Sequence, residues 1–459
     1  MSGDAAAESS NSVAPAAAQS GGGNNSSQHV VISMAPQPFR AVNKDMFTPL
    51  SVPIGPYHHA RCSSRWAQEK QRVAKEIVNS REDELRRELR KLEGNVRACY
   101  GSLPKMKPDK FVDMLLNDGC YVLQFFVQYP GLPDVSPPRG EQSTVTRDIM
   151  YLLENQLPMI VLDRIHRFLL NENENAVVLD AVEVRVRKLL KEDLYIRGVN
   201  KPPNGQEDGQ AAPSHLLQLV HTYFQPQLGH ISVSIDSGGQ SESSQQRSAT
   251  RNNDQNEAED AGNRRRRMGR WRRATEYSMY GNVQLKPRNF ELGVESILDV
   301  RLEGSTLLIP RLQIDGSTWT ILRNLMALEE QTGTRPVVTA YCLFMSQLAS
   351  KVEDIELLMQ KEIIEHSWGN EEEVAQGFAD LCKKVVLDVD DAHSNYLCRT
   401  WHLLHERCES LGHNFWGSFR HRYCGDSVRI LAFVTAGLVF AFQLIQVILA
   451  GFSLPQRGK

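Results

Sequence analysis

The sequence predicts a mainly α-helical fold: one large helical domain with a small β element, followed by one C-terminal transmembrane helix. Three observations lead to this fold class. Apolar residues recur at spacings of three and four along most of the chain, as in amphipathic helices. β-like stretches are few and short. Near the C-terminus, 25 residues without a charge begin at Ile430 and end at Leu454.

Composition excludes several classes of protein. The 459 residues include 52 Lys and Arg and 55 Asp and Glu, so the formal net charge is −3. This balance argues against a generally basic nucleic-acid coat and against an acidic, solvating chain. A hydrophobic share of 41% can fill a core, and a mean hydropathy of −0.38 argues against many membrane spans. Eight cysteines without a CxxC pair indicate free thiols in a reducing compartment.

The composition of the first segment predicts no packed structure. Residues 1–45 are rich in Ala, Ser, Gly and Asn and have no apolar period, so we expect a disordered tail. The helical domain is predicted over residues 46–427. It opens with an extended strip at 50–59, because two prolines flank Gly55 and prevent a helix there.

Apolar periodicity predicts helices after the strip. Pro158 lies inside one of them and should kink or split it. A polar insertion over about 228–263 divides the domain, and the short β-like stretches follow it. The predicted helices cover about 73–96, 108–128, 145–170, 176–190, 215–224, 318–330, 337–348, 354–364, 371–385 and 395–410, and the β-like stretches cover 283–285, 297–302 and 306–309.

The uncharged stretch near the end predicts a transmembrane helix over 428–454, since about 20 apolar residues cross the hydrocarbon core. A buried core helix rarely runs so long without a charge. Residues 455–459 form a short tail, and the start of the chain lacks a signal-peptide pattern. We therefore expect a single-pass membrane protein with its N-terminal bulk in the cytosol. Gln443 and Gln446 share one side of the helix and favour self-association through it.

Short motifs occur in a fixed order along the helical domain. A His-Leu-Leu-Gln-Leu run begins at His215, and the residues of the other motifs are Gly55, Pro56, Tyr57, His58, His59, Asp118, Gly119, Leu153, Glu154, Asn155, Gln156, Pro158, Asn324 and Glu329. Taken together, they resemble the plant family DUF247, also called UPF0481. The sequence departs from the family pattern at Gln124 and Gln218, where the family has Glu and Asp.

The resemblance covers about residues 50–454. It implies a plant protein that is mainly helical and membrane-anchored at its C-terminus, with no established enzymatic activity. It supplies no catalytic residues, and we expect no cofactor.

The polar motif residues allow two interpretations. Glu154 lies among apolar residues, and a buried carboxylate requires a partner or its pKa rises. A structural network with an arginine or backbone donors is favoured over a general acid–base role. Asp118 and Gly119 predict a turn, with Asp118 capping the helix that follows. His58 and His59 should point to opposite sides of the strip, which favours a structural role over metal binding.

One predicted helix carries zinc-type ligands along one side, at Cys398, His402, His405 and Cys408. A straight helix presents them as a ladder about 15 Å long. Two neighbours can bind one ion, but four cannot surround it, so the sequence predicts no metal site.

An arginine run follows the polar insertion. It could contact phosphates or anionic lipid, or act as a nuclear localisation signal, whereas a solvated loop end is the simpler interpretation. Its arginines are Arg264, Arg265, Arg266, Arg267, Arg270, Arg272 and Arg273.

These features together predict a membrane-anchored, non-enzymatic interaction or signalling protein. The expected partners are membrane lipid and an unidentified protein, which could be a second copy; a nucleic-acid partner is not favoured. One alternative is an unrecognised hydrolase or transferase that uses buried polar residues such as Glu154. Another is a nuclear, nucleic-acid-associated factor that uses the arginine run. The sequence lacks the common nucleotide-binding, hydrolase, zinc-protease and kinase motifs.

Overall fold

The computed structural model describes residues 31–131, 135, 137–138, 140–171, 177–192, 212–224, 226, 272–288, 296–367, 369–409, 435 and 438–446. These residues are mainly helical, which confirms that part of the predicted fold class.

The first half of the fold is built around one buried helix. Its helices are α1 (Gln37–Arg40), α2 (Ser64–Val78), α3 (Glu82–Ala98), α4 (Pro108–Val127), α5 (Gln142–Tyr151), α6 (Met159–Leu169), α7 (Val178–Glu192) and α8 (Leu216–Thr222). Helix α4 packs against α2, α3, α6 and α7. It is apolar on nearly all sides, as expected for a helix at the centre of a core.

The second half is centred on another buried helix. Its helices are α9 (Ala274–Tyr280), α10 (Thr318–Thr332), α11 (Val337–Leu348), α12 (Val352–Gln360), α13 (Glu371–Leu381) and α14 (Cys398–Glu409). Helix α10 contacts α11 and α13 in this half and α5 and α8 in the first half. The buried residues of the two halves form one continuous hydrophobic core.

The small β element consists of two short sheets. The first has the order β1 (Gln284–Arg288), β3 (Thr306–Pro310) and β2 (Arg301–Glu303), in which β1 is parallel and β2 antiparallel to β3. The second pairs β4 (Leu312–Ile314) with β5 (Ile364–His366) in parallel. The small β element is thus confirmed. Strands β4 and β5 were not predicted, because they are too short for a clear alternating pattern.

Pro158 divides the helix that periodicity predicted over 145–170. Helix α5 ends at Tyr151, and α6 begins directly after Pro158, which precedes its first residue. A proline fits at a helix start because its missing N–H would have no intrahelical acceptor there. The break leaves residues 152–157 outside both helices, so their backbone and polar side chains can contact other segments.

The predicted boundary of the disordered tail at residue 45 is wrong. Ile32, Phe39 and Phe47 are buried in the core, and the N–H groups of Val31 and Ile32 donate to the carbonyl of Cys99 at 3.0 and 2.9 Å. We call residues 31–47 the strap. Its apolar residues follow no regular period, and Pro36 and Pro38 interrupt them. Residues 1–30 lie outside the described residues.

The predicted transmembrane helix needs correction. Within the described parts of the chain, no helix is both long and apolar enough to cross a membrane. From the stretch 428–454, the structure describes residue 435 and residues 438–446, which are helical and exposed. The ends of the stretch, Ile430 and Leu454, lie outside the described residues, and the membrane localisation stays a prediction.

Candidate functional site

The motif segments meet in a buried polar network between the strip, the strap and the break between α5 and α6. Asp148, near the end of α5, is fully buried. Its carboxylate accepts hydrogen bonds from the backbone N–H groups of Leu50 at 3.2 Å, Ser51 at 2.6 Å and Val52 at 3.0 Å. The guanidinium of Arg147 lies 2.7 Å from the same carboxylate and balances its charge. One side chain thus satisfies three backbone donors of the strip.

Asn155 continues the same arrangement along the strip. Its Oδ1 accepts from the N–H of Ile54 at 2.7 Å, and its Nδ2 donates to the carbonyls of Val52 and Asp148, both at 2.9 Å. An amide suits this position because it offers an acceptor and two donors on one planar group. The backbone of the strip therefore forms hydrogen bonds with side chains, whereas the backbone of a β-strand forms them with a neighbouring strand.

Asp118 and Lys70 form a buried ion pair that contacts the strip. The Nζ of Lys70 on α2 lies 2.6 Å from Oδ1 of Asp118 on α4, and both residues are almost completely buried. Asp118 Oδ2 accepts from the N–H of Gly55 at 2.9 Å, and Lys70 also donates to the carbonyl of Pro53. The pair thus joins two helices to the strip.

The turn and cap predicted at Asp118 and Gly119 are wrong, since both residues lie in the middle of α4. The apolar residues on either side continue the helix, and the carboxylate of Asp118 has partners in the tertiary fold rather than at a helix end.

Position 55 requires a residue without a side chain, which is glycine. Its φ is +70°, in the left-handed region that glycine enters without strain. A Cβ at this position would lie 2.7 Å from the carbonyl oxygen of Gln156, which is backbone and cannot swing away. The conformation and the close approach both explain the glycine of the first motif.

Glu154 connects the strap to the network through hydrogen bonds. One carboxylate oxygen accepts from the N–H of Ala35 at 2.9 Å and from the guanidinium of Arg40, and the other lies 3.5 Å from Nε2 of His58. Burial tends to raise the pKa of Glu154, but the nearby His58 imidazole, the Arg40 guanidinium and the Ala35 N–H outweigh burial and hold the pKa below its usual value. An arginine and a backbone donor therefore hold a charged carboxylate, as the network interpretation requires.

His59 and Tyr57 of the first motif lie beside the same network. His59 is half-buried, and burial lowers its pKa. The hydroxyl of Tyr57 donates to the carbonyl of Ile32 at 3.2 Å, and its ring meets the ring of Tyr100 edge-on at 5.7 Å. Tyr57 thus contacts the strap as well as the end of α3, and the buried Pro56 separates it from Gly55.

Gln156 and His215 connect the break to α8. The Oε1 of Gln156 accepts from the N–H of Leu217 at 3.1 Å, and its backbone carbonyl accepts from the hydroxyl of Tyr100 at 3.0 Å. His215 precedes α8, and its Nδ1 accepts from the N–H of Gln218 at 3.3 Å. Complete burial lowers the pKa of His215 to about 4, so its imidazole is neutral at pH 7.

The later motif residues carry the network into the second half of the fold. Oδ1 of Asn324 on α10 accepts from the N–H of Leu153 at 2.8 Å, and its Nδ2 donates to the carbonyl of Met46 in the strap, also at 2.8 Å. One buried amide thus joins three segments.

Glu329, also on α10, holds the start of α11. Its carboxylate accepts from the N–H groups of Val338 at 2.8 Å and Thr339 at 2.9 Å, and it lies 2.9 Å from Nε2 of His221. A carboxylate at a helix N-terminus satisfies donors that have no intrahelical partner.

Gly119 marks the closest approach of α4 to α6. A Cβ there would collide with the Cδ1 atom of Ile165, a fully buried side chain that would have to shift. We expect Gly119→Ala to lower the free energy of unfolding by about 1–3 kcal/mol, as overpacking does. Urea denaturation of the purified chain measures this loss of stability.

Gly94 provides the matched control for this substitution. It lies within α3, and nothing occupies the space that a Cβ would take. Gly94→Ala should therefore stabilise the chain by about 0.5–1 kcal/mol through helix propensity. If Gly119→Ala stabilised the chain to the same degree, the close packing of α4 on α6 would be disproved.

The arginine run is described only at its end. Arg264, Arg265, Arg266, Arg267 and Arg270 lie outside the described residues. The guanidinium of Arg272 lies 5.5 Å from the ring centre of Tyr280, and Arg273, directly before α9, lies 3.5 Å from the carboxylate of Asp354. The fold itself therefore uses the charge of Arg273.

The Cys and His ladder lies on α14 as expected. In the described part of the chain, no group of three or more His, Cys, Asp or Glu side chains is placed to hold one metal ion. His405 pairs with Glu409 at 3.2 Å, and Cys408 is buried, so these two residues do not join Cys398 and His402 in one site.

Sequence reasoning assigned no partner role to several charged residues of the network, among them Arg147, Lys70, Arg40 and Arg323. Lys70 lies with Trp66, Val73 and Ile77 on the buried face of α2, and a lysine at such spacing could have been flagged as buried and paired. Arg40 has no such signal, because the strap lacks a period. Arg323 is buried within α10, where it donates to the carbonyl of Phe39 at 3.4 Å.

Comparison with known proteins identifies the family of this chain. DUF247, described as a plant protein of unknown function, matches residues 32–442. A UPF0481 protein of Arabidopsis thaliana is 26% identical over 423 residues, which are 85% of this chain and 80% of the relative. A putative UPF0481 protein of the same plant is 28% identical over 156 residues, 32% of this chain and 29% of the relative. No solved structure gives a significant match. The chain therefore belongs to the DUF247 family of plant proteins of unknown function.

Proposed function

We propose that the chain is a non-enzymatic interaction protein. Its helical body serves as a scaffold, and the helix at residues 438–446 is the surface that contacts a protein partner. A second copy of the chain is the partner that we propose.

The exposed helix at 438–446 is the observation that carries this proposal. Six large apolar side chains are between 47% and 66% exposed in this short stretch: Leu438, Val439, Phe440, Phe442, Leu444 and Ile445. A helix that exposes this much apolar surface is stabilised when another surface covers it, and exposed apolar patches mark interaction surfaces.

The two glutamines favour a second copy as the partner. Gln443 and Gln446 are three residues apart, so they share one side of the helix. In a two-fold symmetric pair, the same side of both helices meets itself, and amides can then donate to and accept from each other.

The buried network supports a scaffold rather than a catalyst. The carboxylates of Glu154 and Asp118 are both engaged by cations and backbone donors of the fold. A general acid–base group needs a proton that it can exchange with a substrate, whereas these carboxylates hold the strap and the strip.

Light scattering of the purified full-length chain tests the proposal. We expect the wild-type protein to form at least a dimer, and Leu438→Glu combined with Phe442→Glu to weaken this association at least tenfold. Burying two charges in place of two large apolar side chains removes several kcal/mol of contact energy.

Val184→Glu is the matched control, because Val184 on α7 is 67% exposed but lies outside the proposed surface. It should leave the measured mass unchanged. A monomeric wild-type chain, or an unchanged mass in the double variant, would contradict the proposal. Flotation of the chain with phosphatidylcholine vesicles would show that lipid, not protein, covers this helix.

A further inference from the structure

A cavity of about 260 Å³ lies beside the strap, between α10, the start of α11 and the turn that follows α13. Its interior is apolar and includes Phe39 of the strap, Met326 of α10 and Leu387. Val386, which is 90% exposed, lines the side that opens to solvent. An apolar cavity of about 150 Å³ already holds one benzene ring. The larger cavity therefore has room for an aromatic or branched aliphatic side chain and a few further atoms.

Two buried charged side chains of α10 fix the walls of this cavity. Arg323 donates to the carbonyl of Phe39 in the strap at 3.4 Å and to that of Lys383 in the turn at 3.3 Å. Glu329 accepts from the N–H and the hydroxyl of Thr339, at 2.9 and 2.7 Å, and Thr339 lines the cavity. Because the walls are held from inside the core, the cavity is preformed, and a ligand does not have to order it.

Lys384 and Glu330 bring one positive and one negative charge to the lining of the cavity. Both side chains are exposed, and within the described part of the chain neither forms an ion pair with the other or with a third residue. A ligand that carries only a carboxylate would be repelled by Glu330, and a ligand that carries only an amine would be repelled by Lys384. A ligand with both charges complements both residues.

The backbone of Lys384 adopts a conformation that is costly for a residue with a side chain. Its φ is +63°, in the left-handed region that glycine enters without strain. The N–H of Val385 donates to the carbonyl of Cys382 at 3.2 Å and closes the turn around it. Strained residues concentrate at sites that bind ligands. A lysine at a position suited to glycine therefore indicates a use for its ammonium group at the cavity.

We propose that this cavity binds a free amino acid with a large apolar side chain, such as phenylalanine or leucine. The apolar side chain of the ligand packs against Phe39 and Met326. Its α-carboxylate pairs with Lys384, and its α-ammonium group pairs with Glu330. Arg323 is a positioning residue, because it holds two walls but does not itself line the cavity.

Ligand-observed saturation-transfer NMR of the full-length chain with L-phenylalanine tests this proposal. We expect a dissociation constant of about 0.1–1 mM, as is reasonable for a ligand of about twelve non-hydrogen atoms. N-acetylphenylalanine lacks the ammonium group and phenylalaninamide lacks the carboxylate, so each should bind about fivefold more weakly. Absence of phenylalanine binding, or binding of either analogue as tight as that of phenylalanine, would overturn the proposal.

Three variants connect the binding to the cavity. Lys384→Met and Glu330→Gln should each weaken phenylalanine binding about fivefold. Lys384→Gly should bind as weakly as Lys384→Met but melt at or above the wild-type temperature, because glycine adopts this φ without strain.

Lys383→Met is the matched control. Lys383 is the exposed neighbour of Lys384 and does not line the cavity, so this variant should bind phenylalanine as the wild-type chain does. Unchanged affinity in Lys384→Met, or an equal loss of affinity in Lys383→Met, would show that the ligand does not contact Lys384 in this cavity and would overturn the proposal.

Discussion

Replacing Lys70 with Met is expected to lower the free energy of unfolding by about 4 kcal/mol. The substitution keeps the length of the side chain but leaves the carboxylate of Asp118 buried without its cation, 2.6 Å from where the ammonium was. Breaking one partner of a buried ion pair costs about 3–5 kcal/mol, mainly because the remaining charge is desolvated. Urea denaturation followed by circular dichroism measures the loss.

Lys75→Met is the control, since Lys75 lies on the exposed face of the same helix. It should change the stability by less than about 0.5 kcal/mol. Adding Asp118→Asn to Lys70→Met should recover part of the loss, because the amide oxygen still accepts from Gly55 and no charge is left unpaired. A loss below about 1 kcal/mol in Lys70→Met would mean that the pair does not carry the contact between α2, α4 and the strip.

The second large effect is a pH dependence that arises at His215. Burial lowers the pKa of this imidazole to about 4 in the folded chain, whereas an unfolded histidine has a pKa near 6.5. Between these values the unfolded chain takes up a proton that the folded chain does not. Stability is therefore fully present above about pH 6.5 and falls by about 3 kcal/mol as the pH is lowered to 4.

His215→Asn isolates this contribution. Asparagine can still cap α8 but does not titrate. The variant should lose about 3 kcal/mol less than the wild-type chain between pH 7 and pH 4, as measured by urea denaturation at each pH. His393→Asn removes an exposed histidine and should follow the wild-type curve. Parallel curves for His215→Asn and the wild-type chain would show that His215 is not buried in its neutral form.

Apolar periodicity predicted the helices well because each helix buries one face, or nearly every side in the case of α4. It failed where a segment is held by side chains from elsewhere. The strap has no period of its own, and contacts with Glu154, Arg323 and Asn324 hold it in place. The break at 152–157 was detectable because Pro158 stops a helix from continuing through it.

The site could be predicted in part. The motif around Glu154 showed that carboxylate and amide groups lie among apolar residues and so need partners. It could not identify those partners, because Arg40 is 114 residues away in sequence and Lys70 is 48 residues from Asp118. Hydropathy alone also predicted a membrane-spanning helix that the described residues do not contain.

Motif side chains, rather than a neighbouring strand, satisfy the backbone N–H groups of the strip. The N–H groups of Val52, Ile54 and Gly55 each donate to a different buried side chain. Such buried donors exchange only when the surrounding structure opens. The N–H of Asp390, which donates to the exposed side chain of Asp388, is an internal reference with the same type of bond.

Native-state hydrogen exchange of these amides tests the claim most directly. We expect the amides of Val52, Ile54 and Gly55 to exchange as slowly as the core amides of α4, and the amide of Asp390 to exchange fast. If the three strip amides exchanged as fast as that of Asp390, the motif side chains would not hold the strip in the folded chain.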